Sequence, residues 1–262
     1  MIHPGRSLRR AIAGGLLCLP LVACGEDEPA GPPALRPPTL GPTTFIDPDV
    51  LTETDVTSLD ALVPNGQGMR TMFDRRVDGN VTVDAYLFDA SFDDGLSLEI
   101  QVNPELGDSL ANALAEQYAA SIGRLPNILR RDIDVVWVHD GDELFGGGAD
   151  NLLIHVDQAV SYYNDGFLEE ALAHQAAHTS LDAAHATSAG WLDAQSVDNG
   201  FISMPAQDNP TTEDVAESFL PWLAVVTGDG RVTDFLRATI AAQIPARLFY
   251  FDAQGFDLHP LN

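Results

Sequence analysis

Residues 166–186 read GFLEEALAHQAAHTSLDAAHA, and the predicted fold and site depend on this segment more than on any other. The stretch is rich in Ala and Leu, and Glu169 and Glu170 stand in what would be the first turn of a helix, where the helix dipole favours acids. Such a helix would carry His174 and His178 one turn apart on the same face. Two imidazoles at this spacing can reach one ion, so the segment predicts a metal-binding helix.

The histidine pair is a weak signal by itself, because a chain with seven histidines contains an HxxxH pair by chance roughly one time in five. Support comes from Glu213 and Glu217, which are also four residues apart. They follow a helix-start pattern, with Asn209 as the cap and Pro210 at the first helical position. One of the two could complete a His₂Glu zinc site, and the other could hydrogen-bond a ligating histidine. A packed core histidine and a solvated acidic face stay open as alternatives.

Residues 173–178, Ala-His-Gln-Ala-Ala-His, resemble the active helix of zincin metallopeptidases, whose motif is HExxH. Asp182, four residues after the second histidine, is similar to the acidic position that follows this motif in several of them. Residues 209–219, NPTTEDVAESF, resemble the third-ligand helix of the gluzincin branch. The resemblance covers about 45 residues, and it also implies a sheet before the active helix, with an edge strand beside the substrate cleft.

When the ligand positions of the family are matched to this sequence residue by residue, the resemblance implies that His174, His178 and Glu213 are zinc ligands. It implies that Glu217 hydrogen-bonds a ligating histidine and fixes its ring orientation, a role we also assign to Asp182. The predicted cofactor is therefore one zinc ion.

The sequence departs from the family at two catalytic positions. Gln175 stands where the family has the general-base Glu, and a neutral amide cannot accept a proton from zinc-bound water. Loss of such a base removes a factor of roughly 10²–10⁴ in rate. A Tyr that stabilises the oxyanion would fall near residues 203–207, which read SMPAQ. A metal-binding pseudopeptidase is the prediction, with Asp182, Asp208 or Glu170 left open as a substitute base.

His185 lies eleven positions after His174. In an unbroken helix it shares the face of His174 but lies about 10 Å beyond His178, too far for the same ion. We therefore expect it to support the ligands or to pack. His139 and His155 fall on predicted strands and are interpreted as structural.

The remaining pattern predicts an α+β fold of zincin-like type, in which a small mixed or antiparallel sheet is followed by a helical half carrying the metal site. Gly146, Gly147 and Gly148 are interpreted as a hairpin loop, since no Gly-Lys-Ser/Thr follows as in a phosphate loop. Strand 151–156 is the candidate edge strand. The predicted strands are 81–88, 96–102, 133–139 and 151–156, the first two forming a hairpin. The predicted helices are 108–122, 166–186, 189–197, one beginning at 209–210 and one beginning near 233.

The N-terminus has the pattern of an export signal. Residues 1–10 contain three Arg and no acid, and residues 11–23 form an apolar run too short to span a bilayer. Residues 21–24, Leu-Val-Ala-Cys, resemble the bacterial lipoprotein signal box. This implies a signal peptide at 1–23 and lipidation of Cys24; a plain signal peptide with an incidental Cys is the alternative. The proline-rich residues 24–44 predict an extended tether, and residues 45–262 one folded domain.

Composition limits the partners. The 262 residues include 13 Lys+Arg, all of them Arg, against 39 Asp+Glu, for a formal net charge of −26. This balance argues against nucleic acid, because phosphate contacts need basic side chains. Cys18 lies in the predicted leader and Cys24 is predicted to carry lipid, so no Cys remains for a disulfide or a thiolate metal site.

Together these observations predict a lipid-anchored protein of the bacterial cell envelope, on a periplasmic or extracellular face. Its gluzincin-like domain would bind zinc, with hydrolysis weak or lost because of Gln175. The alternative is a non-enzymatic lipoprotein that holds a peptide or protein partner in the same cleft, and a third possibility is a structural lipoprotein without metal. We expect a peptide or protein of the envelope as partner, and contact with the membrane through the lipid anchor only.

Overall fold

A six-stranded mixed sheet organises the part of the chain that the computed structural model describes, which is residues 34–41, 49–228 and 230–261. Its strand order is β1-β2-β3-β4-β6-β5. The predicted signal peptide (1–23), Cys24 and residues 25–33 and 42–48 lie outside the described residues. The strands are β1 (Leu59–Asp74), β2 (Gly79–Phe92), β3 (Ser97–Val102), β4 (Val135–His139), β5 (Gly146–Gly147) and β6 (Asn151–His155).

The sheet changes from antiparallel to parallel across its width. Strands β1, β2 and β3 pair antiparallel, and the predicted hairpin of β2 and β3 is confirmed. Strands β3, β4 and β6 run parallel, which places His139 opposite His155 at the ends of β4 and β6. The mixed sheet, together with the helices described below, confirms the predicted α+β class.

The edge of the sheet differs from the prediction. Strand β5 pairs antiparallel with β6, with Gly146 opposite Leu153 and Gly147 opposite Leu152. The edge beyond β6 is thus the two-residue strand β5, and the expectation that 151–156 forms the edge is wrong. The reason is that β6 is apolar and buried over Leu152, Leu153 and Ile154, so a further strand covers it.

Helices make up most of the second half of the described chain. The helices predicted at 108–122, 166–186 and 189–197 agree with α1, α4 and α5 to within two residues, and α8 begins beside the predicted start near 233. The helices are α1 (Asp108–Gly123), α2 (Asn127–Arg130), α3 (Val156–Asp165), α4 (Leu168–His185), α5 (Ala189–Asp198), α6 (Met204–Asp208), α7 (Asp214–Val226), α8 (Asp234–Gln243) and α9 (Pro245–Asp252). None of these described helices combines the length and the apolar character needed to cross a membrane.

The start of α7 is later than predicted. Asn209 and Pro210 follow the short helix α6 and belong to a turn, and Glu213 is the N-cap residue of α7. Gln195 on α5 holds this arrangement, because its side chain donates to the carbonyl of Pro210 at 2.6 Å and to Asp214 at 2.8 Å. The predicted helix start at 209–210 is therefore wrong, since a side chain from another helix fixes the turn.

Helix α4 lies at the centre of the molecule and positions the site. It packs against β5 and β6 on one side and against α7 on another. Its Ala173, Ala176 and Ala177 are fully buried, and such small side chains allow neighbouring elements to approach closely. The histidine-bearing face of α4 therefore meets the N-terminus of α7.

Part of the predicted tether lies against the folded unit. The backbone of Arg36 pairs with Gly200, and its guanidinium donates to the carbonyls of Ala242 and Gln243. The backbone amide of Leu40 donates to the carbonyl of Ile202. Residues 34–41 are thus docked beside the C-terminal helices.

Candidate metal site

Helix α4 carries His174 and His178 one turn apart, as predicted. Their Nε2 atoms lie 3.2 Å from each other, and the ring planes are nearly perpendicular. The side chains are 8% and 17% exposed, and both residues line a cleft. Two nitrogens are thereby aimed at one point.

Glu213, the N-cap residue of α7, brings the third ligand atom. Its Oε2 lies 3.7 Å from Nε2 of His174 and 3.4 Å from Nε2 of His178. A tetrahedral ion with bonds of about 2.0–2.1 Å separates its ligand atoms by about 3.3 Å. The three atoms therefore form a nearly equilateral triangle of the size that such an ion requires, and the group could hold a metal ion.

Two further carboxylates lie behind the imidazoles. Oδ2 of Asp182 lies 2.7 Å from Nδ1 of His178, and Oε1 of Glu217 lies 3.8 Å from Nδ1 of His174. Ser203 donates to the other oxygen of Glu217 at 2.7 Å and so fixes that carboxylate. A carboxylate on the Nδ1 side orients an imidazole with Nε2 toward a metal. Asp182 is thus within hydrogen-bonding distance of His178, whereas Glu217 lies near His174 at a distance longer than a hydrogen bond.

The pKa values of the clustered side chains are shifted by burial and by their mutual contacts. Burial and the neighbouring His178 lower the pKa of His174 to about 4. Burial also opposes the charge on His178, but its contacts with Asp182 and Glu213 outweigh this and raise its pKa to about 9. The hydrogen bond with His178 lowers the pKa of Glu213 despite partial burial. These shifts favour a neutral His174 beside a positively charged His178, and a metal ion bound by both Nε2 atoms would take the place of that charge.

The cluster lies in an open cleft of about 540 Å³. Gln175 and Thr179 line it from α4, and Arg75 and the glycines of the β5 loop line the facing wall. Gly147 is required there by close approach, because a Cβ at this residue would lie 2.1 Å from the carbonyl oxygen of Gln175. The cleft is lined by Arg75, Phe145, Gly147, Gly148, Ala149, His174, Gln175, His178, Thr179, Asp182, Ala183, Thr212 and Glu213.

The three residues considered as a substitute base have different positions. Asp182 lines the cleft, but its carboxylate is engaged with His178. Glu170 is fully buried and accepts from the backbone amide of Leu51. Asp208 is exposed at the end of α6 and is not among the lining residues. Among the described residues, the carboxylates of the cleft are therefore those of Asp182 and Glu213, and both face histidine.

The structure does not bring His185 to the cluster. It hydrogen-bonds the hydroxyl of Tyr250 at 2.8 Å and packs edge-on against Phe256. The expected support for the ligands is thus corrected to a packing role, because seven residues of helical rise place His185 about 10 Å beyond His178.

His139 and His155 lie away from the cleft. Both are fully buried at the ends of their strands, and nitrogens of both rings lie within 4 Å of the carboxylate of Asp74. Asn103 contacts Nδ1 of His139 at 3.0 Å. This arrangement agrees with the structural interpretation of both histidines.

Two residues near the site, Ser203 and Arg75, were not singled out from the sequence, and the close approach of Gly147 to α4 was not predicted. Ser203 is the cap of α6, and the Ser-Met-Pro pattern is a local signal that could have indicated it. Gly147 lies in a glycine run that could have indicated a close approach of two backbones. Arg75 comes from the turn after β1, about 100 residues before the histidines, and no local pattern marks it.

Comparison of the chain with protein-family models, with curated proteins and with solved structures finds no match. The assignment of the site therefore depends on its own geometry.

Proposed function

We propose that this chain carries a zincin-like domain of the gluzincin type that binds one zinc ion through His174, His178 and Glu213, with peptide hydrolysis weak or lost. The observation that supports it is the triangle of ligand atoms, with sides of 3.2, 3.4 and 3.7 Å. The two segments that supply it are the ones that resemble the gluzincin ligand helices.

The donor set favours zinc over harder ions. Two imidazole nitrogens and one carboxylate oxygen are typical of catalytic zinc, whereas Mg²⁺ and Ca²⁺ select oxygen ligands. The open cleft leaves a fourth position accessible. Zinc bound there would act as a Lewis acid and lower the pKa of a water in that position.

The chain's own residues limit hydrolysis. Gln175 can hydrogen-bond a water in the cleft, but its neutral amide cannot take up the proton. Neither Asp182 nor Glu213 is free for this role, since each is engaged with histidine. Proton removal therefore lacks a dedicated group among the described cleft residues.

A second candidate function is binding of a peptide or protein partner without hydrolysis. The retained ligand triangle and open cleft beside Gln175 favour it, because binding needs the cleft and the cation but no base. For either function we propose a place in the bacterial envelope, with a lipid anchor at Cys24, on the residue pattern of the N-terminus.

The first experiment measures metal in the purified full-length protein. Wild type should carry about one zinc per chain, and His174→Ala and His178→Ala should lose it. The control is His259→Gln, which removes a histidine that pairs with Asp93 outside the cluster. Zinc that is absent from wild type, or that persists in His174→Ala, would leave only a structural lipoprotein.

The second experiment compares peptide hydrolysis by the zinc-loaded wild type and by Gln175→Glu. Restoring the carboxylate should raise the rate by about 10²–10⁴-fold. Equal hydrolysis by the two proteins would contradict the proposed role of residue 175. Zinc binding with no hydrolysis by either protein would favour the partner-binding function.

A further inference from the structure

The arginines of this acidic chain are almost all engaged with carboxylates. Seven of the ten described arginines form such pairs, and two others, Arg36 and Arg237, donate to several backbone carbonyls. Arg75 differs from both groups, because among the described residues it has no carboxylate within 4.0 Å. The paired arginines are Arg70, Arg76, Arg124, Arg130, Arg131, Arg231 and Arg247.

The position of Arg75 is in the wall of the metal cleft. Its guanidinium donates to the carbonyl of Phe145 at 3.1 Å, and it lies against Gly146, where a Cβ would be 3.0 Å from Nη2. The residue is exposed, and it lines the same cleft as His174 and His178. A guanidinium has five N–H donors, and the bond to Phe145 uses one of them, so the others can still bind a ligand in the cleft.

The backbone that carries Arg75 is firmly held. Asp74, directly before it, is buried and accepts from the backbone amide and the guanidinium of Arg76. The same Asp74 faces the buried His139 and His155. The base of the Arg75 side chain is thereby fixed, and a fork held in this way loses less entropy when it binds a planar anion.

We propose that Arg75 is a specificity-determining residue. It would bind a carboxylate of a peptide ligand, while a carbonyl group of the same ligand lies at the metal. The inference rests on the proposed metal site. A guanidinium matches the two oxygens of a carboxylate, and Arg75 supplies a local positive charge in a chain whose net charge of −26 would otherwise repel an anionic peptide.

The test uses zinc-loaded full-length protein and small probes with a hydroxamate at one end. The probes are the monohydroxamates of succinic, glutaric and adipic acid, each compared with the analogue in which the free carboxylate is an amide. Binding of the hydroxamate group shows that the metal is present. The difference in affinity between the acid and its amide measures the contribution of Arg75. Dissociation constants are measured by titration calorimetry.

We expect one chain length at which the acid binds about tenfold or more tightly than its amide in wild type, as a charged hydrogen-bonded pair implies. In Arg75→Gln this preference should disappear, while the amide binds within about twofold of its wild-type affinity. Arg131→Gln is the matched control, because it removes the same charge from an exposed arginine paired with Asp132, and it should keep the preference.

Three outcomes would overturn the inference. Equal binding of acid and amide at every length contradicts it, and so does an acid preference that survives in Arg75→Gln. If no hydroxamate binds and no zinc is present, the metal site itself fails and the inference fails with it. A purely structural role for Arg75 would weaken acids and amides alike, which the acid–amide comparison separates.

Discussion

At the scale of single residues, the candidate site is defined by which atoms of the histidines face each other. Carboxylates lie on the Nδ1 side of both His174 and His178, and the two Nε2 atoms meet at 3.2 Å. Two imidazole lone pairs so close, beside the carboxylate of Glu213, need a shared proton or a cation between them. The arrangement therefore fits either a shared proton or a bound metal ion.

Asp182 provides a test of this arrangement. Asp182→Asn should weaken zinc affinity by about 10–100-fold without abolishing stoichiometric binding, because the amide no longer fixes and polarises the His178 ring. Competition with a zinc chelator measures the affinity. Asp193→Asn, the same change at an exposed residue of α5, should leave it unchanged. An unaltered affinity in Asp182→Asn would show that this carboxylate does not support the ligand.

Asp94 provides a test of pH dependence away from the site. Burial opposes its ionisation, but the hydrogen bonds from Arg130, Asn127 and the backbone amide of Leu96, together with the charge of Arg130, outweigh this and lower its pKa. A lowered pKa contributes stability that is present above the unfolded-state pKa of about 3.9 and lost as the pH falls through the folded-state pKa. Asp94→Asn should therefore destabilise the protein most at neutral pH.

Urea unfolding at pH 7 and at pH 3 measures the effect. The free-energy difference between wild type and Asp94→Asn should shrink at pH 3, where the wild-type carboxyl also begins to protonate. Asp193→Asn serves again as the exposed control. A difference that stays constant between the two pH values would contradict the linkage.

At the scale of elements, the cleft depends on how closely β5 approaches α4. Gly147 lies so near the backbone of Gln175 that any side chain would collide with a carbonyl oxygen. This contact, together with the pairing of β5 and β6, fixes β5 beside α4 at the cleft. A loop that looks unremarkable in sequence therefore sets the width of the site.

Gly147→Ala should destabilise the protein by about 1–3 kcal/mol. The new Cβ is attached to the backbone and the carbonyl oxygen of Gln175 is part of it, so neither atom can rotate away from the clash. Gly79→Ala is the control, since a Cβ there meets only an ordinary contact at 3.8 Å. Thermal unfolding of both variants measures the cost. A Gly147→Ala protein as stable as Gly79→Ala would show that β5 can move away freely.

At the scale of the whole molecule, a buried ionic network joins α7, whose N-cap residue is Glu213, to α5 and α9. Arg247 on α9 pairs with Asp198 at 3.0 Å and with Asp214 at 2.8 Å, and all three side chains are fully buried. Asp214 is the first residue of α7 and follows the ligand Glu213 directly. The network thus holds the first turn of α7, next to the candidate ligand Glu213.

Arg247→Met should cost about 3–5 kcal/mol of folding free energy, because it leaves two buried carboxylates without their cation. We also expect weaker zinc binding, since the start of α7 loses its anchor. Urea unfolding and chelator competition measure the two effects. Arg131→Met, at an exposed arginine, should change neither, and a normal stability of Arg247→Met would contradict the role of the network.

Local pattern in the sequence was sufficient for several features of this protein. The spacing of His174 and His178 predicted their common face, because helical periodicity is a local property of the chain. Alternation predicted the hairpin of β2 and β3, and the Ala-rich run predicted α4.

Tertiary structure decided what local pattern does not contain. The turn at 209–213 forms because Gln195 of α5 holds it, against a local pattern that favours a helix start at Asn209. Strand β5 covers β6, and Arg75 enters the cleft from a turn about 100 residues before the histidines. These features depend on contacts between segments far apart in the chain, and the energies of such contacts cannot be inferred from a short stretch of sequence. The common face of the two histidines, by contrast, depends only on the geometry of one helical turn.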